Sequence, residues 1–176
     1  ADISCDNANP LLARLPKEDF LLFVGDLMHD KGVEILLQAY AEMECQVPLV
    51  LIGRLFLEGL AERLPPNVLL MGAWPHDAIM GAFSRCSIAL VPSIVADACP
   101  TVAMEAMTMG QPIIASRIGG LLDIVIDGET GLLVPPGDPQ ALREAMQSLL
   151  DDPARRERMG NMAKQRVVEF QAKSVV

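Results

Sequence analysis

Six short aliphatic runs recur along the chain and strongly limit what it can fold into. They occupy residues 20–25, 47–53, 67–72, 87–93, 112–116 and 131–136, and each ends in glycine, serine or proline. Continuous apolar runs of about five residues are typical of strands buried on both faces. Because segments with helical patterns lie between several of them, the runs predict βαβ units. We therefore expect an α/β domain with a doubly wound, Rossmann-like parallel sheet of about six strands and helices on both faces.

The segments between the runs carry helix signals. The apolar spacing in residues 31–43 predicts an amphipathic helix after the first run. Near the end of the chain, Asp138 and Asp152 each precede a proline, which is the pattern of an N-cap followed by the first helical residue. Two consecutive helices are therefore predicted there.

Composition supports one domain with an aliphatic core. Hydrophobic residues make up 51% of the 176 residues and aromatic residues 4%, and no apolar run approaches the ~18 residues that a membrane span needs. The opening residues lack the basic start and apolar centre of a signal peptide. We expect residues 1–16 to be a linker remnant, residues 17–170 the folded domain and residues 171–176 a tail.

Charge and cysteine usage argue against several functional classes. The net charge is −9, and the one basic cluster, at residues 155–158, is assigned to the solvated face of the last helix. Nucleic acid is not an expected partner, since phosphate binding needs a concentrated positive surface. The four cysteines form no C-x-x-C pair and there are two histidines. A zinc site and a disulfide framework are therefore disfavoured, and a cytoplasmic location is expected.

The loop after the first run has the features of a phosphate site. Gly25 ends the run, and Lys31–Gly32 opens the following helix. A close backbone, exposed helix amides and a lysine charge together suit an anion. The alternative is a surface lysine beside a helix that is capped by Asp30.

The stretch after the fourth run places two carboxylates eight residues apart. Asp97 falls in the loop, a helix is predicted to begin near Pro100 or Thr101, and Glu105 lies one turn inside it. No cation occupies a position one turn from Glu105, so this carboxylate needs other donors. Two vicinal ribose hydroxyls would serve, and the free amides at the helix start suit a pyrophosphate or sugar oxygen. The alternative pairs Glu105 with a neighbouring backbone or a distant arginine, and leaves Asp97 a simple loop residue.

Three further features belong to the same predicted edge of the sheet. Gly119–Gly120 is expected to let the backbone approach whatever occupies the cleft. His76 is interpreted as a helix-start residue that is packed or capped locally. Trp74 fits packing and contact with a base equally well.

The ordered segments 23–40, 49–53, 67–93 and 97–146 resemble the C-terminal domain of retaining glycosyltransferases of the GT-B fold, glycosyltransferase family 4. The likeness runs from about residue 20 to residue 168. It implies that the predicted sheet is one half of a GT-B fold and that the domain binds a nucleotide sugar.

The resemblance also implies roles for individual residues. Its signature is an acidic residue, seven residues and then glutamate, and Asp97 and Glu105 hold those positions. Asp97 would be catalytic, beside the hydroxyls of the donor sugar, and Glu105 would bind the ribose. Lys31 would neutralise the diphosphate leaving group. The residues implied for substrate binding are Gly25, Lys31, Trp74, Ala98, Cys99, Pro100, Thr101, Val102 and Glu105.

The implied activity is sugar transfer from a nucleotide diphosphate sugar, such as a UDP- or GDP-sugar, to an unknown acceptor, with no metal or other cofactor. The implied partner is an N-terminal acceptor domain of the same protein, without which this chain would be inactive. The longer enzyme could act at a membrane surface, although no membrane span is expected.

The chain departs from the family pattern at three positions. Asp26 stands where an arginine is usual, Asp97 where glutamate is commoner, and Asp123 where glutamate is usual. Asp26 removes half of the usual cationic clamp and motivates a rival hypothesis, a non-catalytic nucleotide-sugar-binding or degenerate GT-B-like domain. A nucleotide-sugar epimerase or a phosphorylase-like enzyme is a further alternative. Epimerases of this fold need a different acid–base set, and the sequence places no second carboxylate or histidine for it. A nicotinamide site is disfavoured, because no G-x-G-x-x-G motif follows the first run.

Overall fold

The computed structural model describes residues 9–44, 47–97 and 100–175. Within them, one six-stranded parallel sheet has the order β3-β2-β1-β4-β5-β6. The strands are β1 (Leu21–Val24), β2 (Leu49–Ile52), β3 (Val68–Gly72), β4 (Ile88–Val91), β5 (Ile113–Ser116) and β6 (Gly131–Val134). Each lies within one of the six predicted aliphatic runs, and the predicted fold class is confirmed.

Helices cover both faces of the sheet. They are α1 (Val33–Ala41), α2 (His76–Arg85), α3 (Thr101–Thr108), α4 (Leu121–Ile124), α5 (Pro139–Leu150) and α6 (Pro153–Lys173). The predicted N-caps are confirmed: the Asp138 carboxylate accepts from the amide of Ala141, and that of Asp152 from the amide of Arg155, both at 3.0 Å. No helix in the described parts of the chain is long and apolar enough to cross a membrane.

The core has one layer on each side of the sheet. Leu21 of β1 packs with α1 and α5, whereas the next residue, Leu22, packs with α2 on the other face. Both side chains are fully buried. This burial on both faces explains why the strands are continuous apolar runs and not alternating ones.

The N-terminal end of the described chain contacts this core. A 3₁₀ turn, Pro10–Arg14, lies against α2, where the Asn9 amide donates to the Asp77 carboxylate at 2.9 Å. That hydrogen bond lowers the pKa of the Asp77 carboxyl below its ordinary value. At the other end, α6 continues through Lys173. Residues 9–14, which we assigned to a linker, are therefore packed on the domain, and residues 171–173 continue a helix.

The assignment of the basic cluster to a solvated face is wrong for Arg156. Its side chain is only 13% exposed. The guanidinium donates to the carbonyls of Leu149 and Leu150 at 2.8 and 2.9 Å. It therefore satisfies carbonyls at the end of α5, where a cation also complements the helix dipole.

Candidate functional site

The loops that follow β1 and β4 meet at the carboxyl edge of the sheet. These strands are neighbours in the sheet although α1, β2, β3 and α2 separate them along the chain. Ligands of doubly wound sheets bind in the crevice at such a switch point. A cleft of about 100 Å³ lies there. Its lining includes Gly25, Lys31, Ser93, Asp97, Pro100, Thr101 and Val102.

The loop that carries Lys31 is held against the loop after β4. A Cβ added to Gly32 would lie 1.8 Å from the carbonyl oxygen of Pro92. The amide of Ile94 also donates to the carbonyl of Asp30 at 3.0 Å. Two main-chain contacts therefore fix the spacing across the cleft, and only glycine fits at position 32.

The secondary structure around Lys31 differs from the prediction. It ends a 3₁₀ turn, His29–Lys31, and α1 begins after Gly32, which has no side-chain cap. The alternative of a helix capped by Asp30 is therefore wrong. Lys31 is half-buried and lines the cleft. Among the described residues its ammonium has no hydrogen-bond or ion-pair partner, so its charge is available to an anion.

Asp97 is exposed at the opposite side of the cleft, and its backbone is fixed. The amide of Gly120 donates to the Asp97 carbonyl at 2.8 Å. A Cβ added to Gly119 would lie 2.9 Å from that same carbonyl oxygen. The predicted close approach of Gly119–Gly120 therefore involves the Asp97 loop itself. Ala98 and Cys99, which were predicted to bind substrate, lie outside the described residues.

The N-terminus of α3 faces the cleft. The helix begins at Thr101 after Pro100, as predicted, and no side chain caps it. Pro100, Thr101 and Val102 all line the cleft. Free first-turn amides and the positive end of the helix dipole therefore lie on the same cleft as Lys31, an arrangement suited to a phosphate.

Glu105 lies one turn further along α3, outside the lining of the cleft. Its side chain is 27% exposed, and its Oε1 lies 3.5 Å from Nε2 of His76. The expectation that Glu105 is buried is therefore wrong. As predicted, no residue one turn away on α3 pairs with it, and the ion-pair partner, His76, approaches from another helix. His76 does begin α2, as predicted, but its side chain is 72% exposed and not packed.

A second pocket, of about 210 Å³, adjoins the cleft and shares Val24 and Gly25 with it. Trp74 lines this pocket and is only 7% exposed, so it also packs in the core beside α2. Its indole Nε1 is buried without a hydrogen-bond partner in the described structure.

Asp26, the residue that departs most from the family pattern, pairs with Arg54 at the same pocket. Asp26 accepts two hydrogen bonds of 3.0 Å from Arg54, which follows β2. These hydrogen bonds, and then the charge of Asp26, raise the pKa of the Arg54 guanidinium above its ordinary value. Sequence reasoning missed Arg54, although its place directly after the glycine that ends the second run was a visible signal.

Comparisons with known proteins show the family of the chain. The model of the family described as glycosyl transferases group 1 matches residues 11–166. The D-inositol 3-phosphate glycosyltransferase of Corynebacterium diphtheriae is 33% identical over 85% of the chain and 38% of its own length. The chain thus spans less than half the length of this curated relative.

Two solved structures share the fold. Sucrose-phosphate synthase from Thermosynechococcus elongatus is 34% identical, with a TM-score of 0.81 over 93% of this chain and 46% of that one. The Anabaena protein HepE in complex with UDP and glucose is 24% identical, with a TM-score of 0.76 over 90% of this chain and 47% of that one. The sheet described above is therefore that of one half of a GT-B glycosyltransferase.

Proposed function

The chain belongs to the glycosyl transferases group 1 family, and from this premise we propose that it binds the donor of a retaining sugar transfer. The donor is a sugar attached to a nucleoside diphosphate, and the chain is the C-terminal, donor-binding domain of a family 4 enzyme. One observation carries the proposal: the cleft brings together the ammonium of Lys31, the uncapped start of α3 and the carboxylate of Asp97.

The diphosphate lies between Lys31 and the amides of Thr101 and Val102. During transfer, the bond between the anomeric carbon and the diphosphate oxygen breaks, and negative charge grows on that oxygen. Lys31 and the helix start stabilise this charge, so the proposal needs no metal ion. One preorganised donor of this kind typically contributes about 3 kcal/mol to transition-state stabilisation.

The two carboxylates have separate roles. Asp97 accepts hydrogen bonds from hydroxyls of the donor sugar beside the reacting carbon, and Glu105 accepts from the hydroxyls of the ribose. Gly25 lets the diphosphate approach the backbone, whereas Pro100, which has no N–H, contributes shape alone. The backbone around Trp74 lies near the base. Ala98 and Cys99 complete the segment that faces the sugar.

The acceptor site belongs to an N-terminal domain that this chain does not include. We therefore expect the chain to bind the donor but not to complete the transfer. The uridine nucleotide bound by the HepE protein makes UDP the first probe. The Asp26–Arg54 pair departs from the family pattern, and its guanidinium lines the pocket that adjoins the cleft.

Isothermal calorimetry with UDP, GDP and ADP tests the proposal. We expect at least one of them to bind. Lys31→Ala should weaken it by about tenfold or more, because it removes a charged hydrogen-bond donor to phosphate. Lys17→Ala, an exposed lysine away from the cleft, is the control. Failure of all three nucleotides to bind, or equal effects of the two lysine variants, would contradict the proposal.

A further inference from the structure

Glu105 has a cross-helix neighbour that its own helix does not provide. The first residue of α2, His76, places Nε2 at 3.5 Å from Oε1 of Glu105 on α3. Among the described residues, this is the one ion-pair partner recorded for Glu105. The neighbouring Asp77 is engaged elsewhere, since its carboxylate accepts from the amide of Asn9. Asp77 also interacts electrostatically with His76, but it is Glu105 that the ring nitrogen Nε2 approaches to 3.5 Å.

We propose that His76 is a positioning residue that orients Glu105 for the ribose. The imidazole Nε2 lies in ion-pair contact with Oε1, at 3.5 Å, and this contact favours one rotamer of the carboxylate before a nucleotide arrives. This inference rests on the proposed function, in which Glu105 accepts hydrogen bonds from the two ribose hydroxyls.

The acceptor capacity of a carboxylate allows both interactions at once. Its two oxygens offer about four lone-pair positions. The contact with His76 involves Oε1 alone, so even a lone pair directed at His76 leaves another on Oε1 and both on Oε2 for two vicinal hydroxyls. Imidazole and ribose therefore do not compete for the same acceptor.

The benefit of His76 lies in preorganisation. A glutamate side chain loses considerable rotamer entropy when it is ordered. At 27% exposure, the Glu105 side chain is only partly confined by its surroundings. If His76 already orders it in the free protein, nucleotide binding no longer bears that loss. The expected consequence is about a fivefold gain in affinity, limited to nucleotides that carry the hydroxyls Glu105 contacts.

Matched ribose and 2′-deoxyribose nucleotides isolate this effect. The tightest of UDP, GDP and ADP and its 2′-deoxy counterpart share the base and the diphosphate, so the ratio of their Kd values reports on the sugar hydroxyl alone. We expect the wild-type chain to prefer the ribonucleotide by about tenfold or more, because the lost hydrogen bond has a charged acceptor. In Glu105→Ala the ratio should approach one.

His76→Ala should lower this ratio by about fivefold and leave the Kd of the deoxynucleotide within about twofold of wild type. His76→Gln keeps an N–H donor and should restore most of the ratio. His29→Ala is the matched control, because His29, on the turn that carries Lys31, pairs with Glu34 of α1 at 2.8 Å and is equally exposed, at 70%. Its ratio should equal that of wild type.

Three results would overturn the inference. If His76→Ala leaves the ratio unchanged while Glu105→Ala removes it, His76 does not position Glu105 and the proposed ribose contact stands. If His76→Ala weakens both nucleotides equally, its role is structural and not directed at the ribose. A ratio that is also unchanged in Glu105→Ala would contradict the ribose contact itself, and the inference with it.

Discussion

The backbone of Gly32 lies directly against the carbonyl group of Pro92 and joins the two loops that border the candidate site. A Cβ at position 32 would lie 1.8 Å from the Pro92 oxygen and 2.7 Å from its carbonyl carbon. Gly32 also has a φ of +75°, a left-handed conformation that favours glycine. The contact explains how Lys31, next to Gly32, is held opposite the loop that leads to Asp97.

Gly32→Ala is therefore expected to lower the free energy of unfolding by about 2 kcal/mol or more, since left-handed strain and a backbone collision combine. Urea unfolding followed by circular dichroism measures the change. Gly128→Ala is the control, because Gly128 has a φ of +83° but nothing within 4 Å of an added Cβ. Gly128→Ala should lower the free energy of unfolding by the left-handed strain alone, about 1 kcal/mol. Equal losses in the two variants would show that the Pro92 contact is unimportant.

Gly119→Ala should disturb the Asp97 loop, because its Cβ would lie 2.9 Å from the Asp97 carbonyl oxygen and 3.0 Å from its amide nitrogen. In the proposed function Asp97 contacts only the donor sugar. We therefore expect reduced affinity for a nucleotide sugar that the chain binds, by about tenfold, with the affinity for its nucleoside diphosphate nearly unchanged. Calorimetry with both compounds tests this. Gly137→Ala, with a similar φ of +72° and open space, is the control. An equal loss of affinity for the nucleoside diphosphate would contradict separate contacts to the sugar and to the diphosphate.

The helix caps near the end of the chain should contribute measurable stability. Asp138→Ala and Asp152→Ala each remove a carboxylate that accepts an amide hydrogen bond of 3.0 Å. Each should lower the free energy of unfolding by about 1 kcal/mol. Urea denaturation of both variants tests this, with Glu157→Ala at an exposed position of α6 as the control. If the two cap variants lost no more stability than Glu157→Ala, the cap hydrogen bonds would not stabilise the helices.

Cys86 should be unreactive in the folded chain. Its side chain is 4% exposed, and burial raises the pKa of the Cys86 thiol far above its ordinary value. Because the thiolate is the reactive form, maleimide should not label Cys86 at pH 7.5 but should label it in urea. Peptide mapping by mass spectrometry separates it from Cys5, Cys45 and Cys99. Labelling of Cys86 under native conditions at the rate seen in urea would contradict its burial.

Local sequence patterns predicted the architecture well. The strands are short and buried on both faces, as Leu21 and Leu22 show, so their apolar runs stood out from the segments between them. The caps at Asp138 and Asp152 depend only on neighbours within one helical turn, and they were also predictable.

Contacts between distant segments were not predictable in the same way. Asp26 and Arg54 are 28 residues apart, and the His76–Glu105 pair joins two helices. Spacing along a chain carries no information about which side chains meet across a sheet edge. The solvent exposure of His76 and the burial of Arg156 depend on the same tertiary packing, and both differed from the sequence-based expectation.

Amide mapping by NMR determines where on the chain a nucleotide binds. A ¹⁵N-labelled chain would be titrated with UDP, GDP and ADP. We expect the amide resonances of Gly25, Thr101 and Val102 to shift most, while those of Gln147 and Arg158 in α5 and α6 stay in place. Shifts centred on α5 and α6, or no shifts with any of the three nucleotides, would contradict a nucleotide-sugar site at the cleft.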